Sequence, residues 1–317
     1  MSEEIRVKST RDGFGEGLVE LGRTKEEVVV LSADLTDSTR AGWFKREFPQ
    51  RFFSFGVAEQ DMFSTAAGMS MMGKIPFACT FGVFAAGRAW NQLSISICYM
   101  NLSVKIVGTH GGVSVGPDGA THQALEEITL MRALPNMTMI VPCDALEAKK
   151  ATICAAEHPG PVYLRLTRNT VPMITKESDK YNIGKASVLR QGDDVTFIAC
   201  GTMVNQALGA AELLKKKKIS AQVINMHTIK PIDKEVIKEA CKRTGAIITC
   251  EEHTVLGGLG SAICEVVSQT NPVPVKLIGI QDRFGESGEP DELFKLFKLT
   301  PKDLAQAAQE IISRKKR

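Results

Sequence analysis

The sequence is short of several features, and each shortage excludes a class of function. Net charge is only +3 over 317 residues, which leaves no electrostatic case for binding nucleic acid or an acidic membrane surface. The eight Cys include no C-x-x-C pair and no dense spacing. Most, such as Cys79, Cys98 and Cys200, lie in apolar stretches, the pattern of reduced, buried thiols in a cytosolic protein. No apolar run approaches the ~18 residues needed to span a bilayer. The N-terminus, M-S-E-E-I-R-V-K, lacks the apolar core of a signal peptide. No His, Cys and carboxylate cluster has metal-ligand spacing. A soluble, cytoplasmic protein is therefore expected. Hydrophobic content of 44% and charged content of 24% are those of an ordinary globular chain. The basic runs Lys215–Lys218 and Arg314–Arg317 are expected at helix C-termini, where cations favour the dipole.

Short β-rich runs alternate with longer helical patterns, which predicts α/β architecture with parallel sheets. In the first half, strands are expected at Val28–Ser32, Phe77–Phe81, Ser103–Thr109, Met137–Val141 and Val162–Leu166. Helical patterns fill Gly13–Leu21, Glu59–Met72, Ala85–Tyr99, Ala124–Ala133 and Asp144–Ala156, with Asp144 as an N-cap. Polar, turn-rich residues near 170–186 read as a linker. A second block comes after it, with strands at Val195–Ala199, Ala221–Met226, Ala246–Glu251 and Val275–Ile280. Its helices are expected near Met203–Lys217, Lys234–Cys241, Ser261–Ser268, Pro290–Phe297 and Pro301–Ser313. The fold expected is α/β, with two doubly wound domains.

One carboxylate stands out. In F-G-V-A-E-Q-D-M, Glu59 opens an apolar, small-residue helix with no Lys or Arg within one turn. A buried acid costs several kcal/mol unless it is paired, so its partner must come from elsewhere. A ring nitrogen of a bound cofactor would serve. The glycine-rich stretches Gly111–Gly119 and Gly257–Gly260 each precede a helix. Neither matches a dinucleotide fingerprint or a P-loop, and no Gly-Asp-Gly…Asn motif for a diphosphate and its metal appears.

His110 and His122 share one loop with Asp118, in T-H-G-G-V-S-V-G-P-D-G-A-T-H-Q. That loop succeeds a strand at the carboxyl end, where open α/β sheets bind ligands. Imidazoles exchange protons near neutral pH, and an Asp can orient an imidazole or a hydroxyl. Each His could instead cap local backbone; two His and an Asp in one loop favour chemistry. Arg11, Arg40 and Arg168 are candidates for phosphate. A surface ion pair is the ordinary alternative for any one of them.

These motifs together resemble the C-terminal two-thirds of transketolase. The matches run in order: S-T-R-D at Ser9–Asp12, S-A-D-L-T at Ser32–Thr36, F-G-V-A-E at Phe55–Glu59 and T-F-G-V-F at Thr80–Phe84. The histidine loop at Thr109–Gln123 and R-L-T-R at Arg165–Arg168 complete the series. The resemblance implies a mostly parallel-sheet pyrimidine-binding domain over residues 1–170, a linker over 171–186, and a smaller mixed-sheet C-terminal domain over 187–317. It also implies thiamine diphosphate as cofactor. Glu59 would then hydrogen-bond the aminopyrimidine nitrogen and favour the imino tautomer. Phe81 and Phe84 would stack on that ring, and Asp34 would lie near the cofactor across a dimer. His110 and His122 would bind donor hydroxyls and shuttle protons, and Asp118 would read the sugar's C2 hydroxyl. Arg11, Ser38 and Arg168 would bind phosphate.

Two departures from the family pattern matter. Gly87 stands where the family often has a Tyr, and the family's N-terminal domain, which holds the diphosphate and a divalent metal (Mg or Ca), is not represented. The expectation is a split transketolase: this chain and an N-terminal partner subunit, assembled two of each. It would transfer a two-carbon ketol unit from a ketose phosphate to an aldose phosphate, within pentose phosphate metabolism. Similar regions occur in deoxyxylulose-phosphate synthase, which shares an F-G-E-S-G-E-P-like segment such as Phe284–Pro290. They occur also in the β subunit of 2-oxo acid dehydrogenases. His110 argues against the first and the sugar-like loop against the second. A non-catalytic stabilising subunit is a further alternative, which the intact Glu59, His110, His122 and Arg168 disfavour.

Overall fold

The computed structural model describes residues 6–315. The expected start of the chain and the last two residues of the basic run Arg314–Arg317 lie outside them. Among the described residues, one sheet has seven strands. Their spatial order is Thr228–Lys230, Thr138–Ile140, Val162–Arg165, Lys105–Thr109, Ile75–Phe81, Val28–Ser32 and Phe52–Ser54. All pair in parallel except Thr228–Lys230, which is antiparallel to Thr138–Ile140. A second sheet has five strands, ordered Val275–Ile280, Ile247–Thr254, Val195–Ala199, Ala221–Asn225 and Ser187–Arg190, the last antiparallel. The expected α/β class with one mostly parallel and one mixed sheet is what forms.

Strand alternation explains the double layer. Val28 and Val30 face one side of the seven-stranded sheet with Phe14, Leu18 and Ala148, whereas Val29 and Leu31 face the other with Met62, Phe63 and Leu93. Successive strand residues point to opposite faces. A sheet buried on both sides therefore reads as an unbroken apolar run rather than an alternating one.

Three differences from the sequence reading have physical causes. The helix expected over Ala85–Tyr99 is broken: Phe84–Arg88 and Leu93–Tyr99 are π-helical, with a short α-turn at Trp90–Gln92 between them. A π turn carries an extra residue and rotates the succeeding side chains off the α register. The polar stretch near 170–186 is not free either. Thr170–Pro172 pairs with Val7–Ser9, and Asp144, while capping helix Ala145–Glu157, accepts hydrogen bonds from the backbone of Ile174 and Thr175. Finally, the short strands Phe52–Ser54, Ser187–Arg190 and Thr228–Lys230 are held mainly by sheet edges, not by any pattern of their own. Among the described residues no helix is long and apolar enough to cross a membrane.

Helix Thr10–Thr24 contains four glycines, each costing about 0.5–1 kcal/mol relative to Ala in a helix interior. Close approach to helix Ala145–Glu157 accounts for two of them. A Cβ on Gly13 would lie 1.8 Å from the Ala145 carbonyl oxygen, and one on Gly17 would lie 3.0 Å from that of Lys149. Gly13→Ala should therefore destabilise the chain by about 1–3 kcal/mol, as overpacking does. Urea denaturation measures this; an unchanged midpoint would show that the two helices separate freely.

Candidate active site

Four adjacent strands of the large sheet deliver their carboxyl ends to one edge. Ile75–Phe81 ends on Phe81, which stands in register with Thr109, the last residue of its neighbour, and Gly108 is in turn opposite Arg165. The loop after Val28–Ser32 carries Asp34, Ser38 and Arg40. The sheet's parallel pairing thus gathers segments far apart in sequence, as open α/β sheets do at ligand crevices.

Glu59 is the first residue of helix Glu59–Met71 and is 3% exposed. The helix N-terminus favours its negative charge. Its partner is Arg88, whose Nη1 donates to both carboxylate oxygens at 3.1 and 3.2 Å. The Arg88 guanidinium also lies over the Phe84 ring, 4.3 Å from its centroid. Phe84 stacks with Phe81 at a centroid distance of 5.9 Å and 16° between planes. Gly87 adds no wall here, since a Cβ there would meet nothing within 4 Å. The result is a buried acceptor beside an aromatic face, bridged by a planar, N–H-rich cation.

The histidine loop meets the same aromatics. His110 stacks on Phe81 with ring centroids 3.8 Å apart, and His122 meets Phe81 and Phe84 edge-on at 6.1 and 5.7 Å. His110 is buried, sits at φ 62°, and shares a 2.9 Å hydrogen bond between its Nδ1 and the Thr109 hydroxyl. Burial first, then the charges of Arg11, Arg168, His122 and Arg40, push its pKa down to about 3. His110 is therefore a neutral imidazole at ordinary pH.

The arginines divide. Arg168 pairs with Asp118 at 3.0 Å, so Asp118 faces a cation here rather than an imidazole. Arg11 donates to the Ser38 carbonyl at 2.9 Å, and its buried Nε has no partner among the described residues. Ser38 thus contributes its backbone to this contact. Arg40 is occupied by Asp12 at 2.6 Å. Asp34 is exposed at φ 58° and takes no part in the aromatic stack. Among the described residues, no group of three or more His, Cys, Asp or Glu is arranged to hold a metal ion.

Two groups escaped the sequence reading. Arg88 lies 29 residues from Glu59 and reaches it from a π-helical segment that no helical period announces. Arg165, within R-L-T-R, is buried beneath the loop: it is 2% exposed and ion-paired through Nε to Glu127, itself 1% exposed. Only Arg168 of that motif joins the site.

Arg88→Ala should cost about 1–2 kcal/mol of stability, less than a fully buried pair because the Arg88 side chain is half exposed. Equilibrium urea unfolding decides this, and a loss near zero would mean that solvent replaces the guanidinium. His110 makes a pH-dependent contribution. Its folded pKa of about 3 lies below the ordinary 6.5, so the unfolded chain binds more protons between those values. Stability from this residue is full above pH 6.5 and is lost as pH falls toward 3. The stability difference between wild type and His110→Gln should accordingly rise with pH across that window and level off above it.

A family model for the transketolase pyrimidine-binding domain matches residues 6–173, and one for the transketolase C-terminal domain matches residues 184–304. A transketolase C-terminal section from Methanocaldococcus jannaschii is 47% identical over 307 residues, covering 96% of each chain. The 6-deoxy-6-sulfo-D-fructose transketolase subunit of Clostridium sp. (strain MSTE9) is 41% identical over 305 residues, covering 96% of this chain and 95% of that protein. A solved structure described as a split-gene transketolase, an inactive β4 tetramer, superposes with a TM-score of 0.91 at 46% identity, covering 96% of this chain and 98% of that one. On the two matched models and these full-length similarities, the chain belongs to the transketolase family.

Proposed function

We propose that this chain is the pyrimidine-binding subunit of a split, thiamine diphosphate-dependent transketolase. The pair would move a two-carbon ketol unit between sugar phosphates. The observation that carries the reading is Glu59, a buried carboxylate beside the stacked Phe81–Phe84 pair, with His110 against the same rings.

The residues fit the pyrimidine half of the cofactor. Arg88 shows what the pocket accepts: a flat π-cation, stacked on Phe84 and donating N–H groups to both Glu59 oxygens. An aminopyrimidine offers the same combination of flat face and hydrogen-bonding edge. Bound thiamine diphosphate supplies the carbon nucleophile for carbon–carbon cleavage. Glu59 would accept a hydrogen bond from the ring edge, and Arg88 would have to release it for that. Phe81 and Phe84 would hold the ring by stacking.

His110, held neutral, can donate or accept one hydrogen bond at a donor-sugar hydroxyl without adding charge. His122, less buried, would pass protons to and from the same substrate. Arg168 and Arg11 would meet the sugar's phosphate; the partnerless Arg11 Nε is a donor in wait for an acceptor. Asp118, now paired with Arg168, would contribute a hydrogen bond to a substrate hydroxyl, and Asp34 would approach the cofactor across the assembly. The diphosphate and its divalent metal would be held by the partner subunit. Relatives matched nearly end to end are themselves a C-terminal section and a subunit, which supports two-chain assembly. The sugar need not be a pentose phosphate, since one such relative is named for a sulfo-sugar.

The test is reconstitution with a chain bearing the Gly-Asp-Gly…Asn motif. Glu59→Ala should lower kcat of the pair by about 10²–10⁴-fold; near-normal turnover would refute the role. Turnover of xylulose 5-phosphate by this chain alone would refute the need for a partner. Pyruvate as the preferred donor would instead favour a deoxyxylulose-phosphate synthase.

A further inference from the structure

The histidine loop is clasped by the C-terminal half of the chain. Glu252, on strand Ile247–Thr254, is 1% exposed. Its Oε1 accepts a hydrogen bond from the Ser114 backbone N–H, and its Oε2 accepts one from the Thr202 hydroxyl at 2.6 Å. Its own carbonyl accepts from Arg165 Nη2 at 2.8 Å. Gly112 makes room for this carboxylate: at φ 86°, a Cβ there would fall 2.4 Å from the Glu252 carboxyl carbon.

A second contact comes from the segment Phe284–Pro290, which the expected chemistry leaves without a task. Gln123, 3% exposed, donates from Nε2 to the Glu286 carbonyl at 2.8 Å. A Cβ on Gly119 would lie 2.5 Å from the Ser287 hydroxyl, and one on Gly116 would lie 3.3 Å from the Gly288 carbonyl oxygen. Both glycines have positive φ, as does His110 at the start of the loop. Glycine takes such conformations without strain, whereas the non-glycine His110 keeps its positive φ only where its surroundings hold it.

We propose that Glu252 is a positioning residue for the reaction, a strut from the C-terminal sheet that sets the loop presenting His110, Asp118 and His122. The proposal rests on the reading of that loop as the donor-sugar site. Glu252 touches no substrate group; it acts through the Ser114 N–H. The geometry also gives the C-terminal half a part in catalysis. Its strand and its 284–290 segment form one wall of the loop, while Glu59, Phe81 and Phe84 sit on helix Glu59–Met71, strand Ile75–Phe81 and the π turn Phe84–Arg88, with no hydrogen bond to Glu252. Loss of the strut should therefore loosen the sugar side and spare the ring side.

Chemistry separates Glu252→Ala from Glu252→Gln. The glutamine carbonyl still accepts from Ser114, and its amide can donate to Thr202, whose hydroxyl reverses to accept. Hydrogen–deuterium exchange on the isolated chain reads the strut directly. In Glu252→Ala, peptides spanning 110–123 should exchange about tenfold faster, with those from strands Val195–Ala199 and Ala221–Asn225 unchanged. Glu252→Gln, which keeps the Ser114 bond but removes a negative charge near Arg165, should lie much nearer wild type than Glu252→Ala. Thr202→Val, which removes only the outer bond, should fall between wild type and Glu252→Ala and serve if the alanine variant does not fold. In the reconstituted pair, Glu252→Ala should lower kcat while cofactor affinity, measured by fluorescence titration, stays the same. Unchanged exchange at 110–123 overturns the proposal, as does faster exchange spread evenly over the chain. Loosened exchange with undiminished kcat overturns it too. A wild-type pair that fails to turn over ketose phosphates would sink the functional reading instead, leaving the exchange result to stand or fall separately.

Discussion

One buried guanidinium holds the arrangement together. Arg165 ends strand Val162–Arg165, and its charge is taken up on three sides: by the Glu127 carboxylate, by the Ala124 carbonyl and by the Glu252 carbonyl. Burial opposes its charge, but Glu127 and Glu252 outweigh burial and keep its pKa above the ordinary range. Breaking such a pair leaves an uncompensated charge worth about 3–5 kcal/mol. Arg165 thereby ties the end of the first sheet, the start of helix Glu127–Ala133 and the C-terminal strand Ile247–Thr254 to one point. The histidine loop runs between those three elements, so its course depends on this ion pair being made.

Around that point, buried charge is managed by geometry. His253 is fully buried, and burial first, with Arg165 next, lowers its pKa to about 3; its Nε2 accepts from the Ile128 N–H as a neutral ring. Glu251, also fully buried, accepts from the Leu259 and Gly260 backbone N–H groups at the start of helix Leu259–Gln269. Burial raises its pKa to about 7 despite those bonds. G-G-L-G at Gly257–Gly260 is thus a close seat for a carboxylate: a Cβ on Gly258 would lie 2.0 Å from Glu251 Oε2. The close packing of helix on strand there and this anchoring are one feature.

Much of this was legible in the chain. Val28–Ser32 and Val195–Ala199 form strands with the predicted bounds, because an apolar β-branched run has few other solutions. Asp144 caps as expected, accepting from the Glu147 N–H at 2.9 Å. Glu59 announced itself as an acid in need of a distant partner. The identity of that partner stayed hidden. Arg88 reaches Glu59 from a π-helical turn, with its guanidinium lying on the Phe84 ring. The reversal of Asp118 toward Arg168 was likewise unreadable, since their contact depends on how two loops from different strands end.

By itself, the sequence determined the α/β class, most of the elements, the family and the kinds of side chain available for chemistry. Those arise from local periodicity, turn chemistry and ordered motifs, which act over a few residues at a time. The tertiary structure decided which of those side chains meet, which charges are paired and which are free. It split R-L-T-R into a buried brace, Arg165, and a half-exposed partner of Asp118, Arg168, and it made His110 neutral by burying it among arginines. Such outcomes depend on distance and desolvation between groups tens of residues apart, and neither quantity exists until the chain has folded.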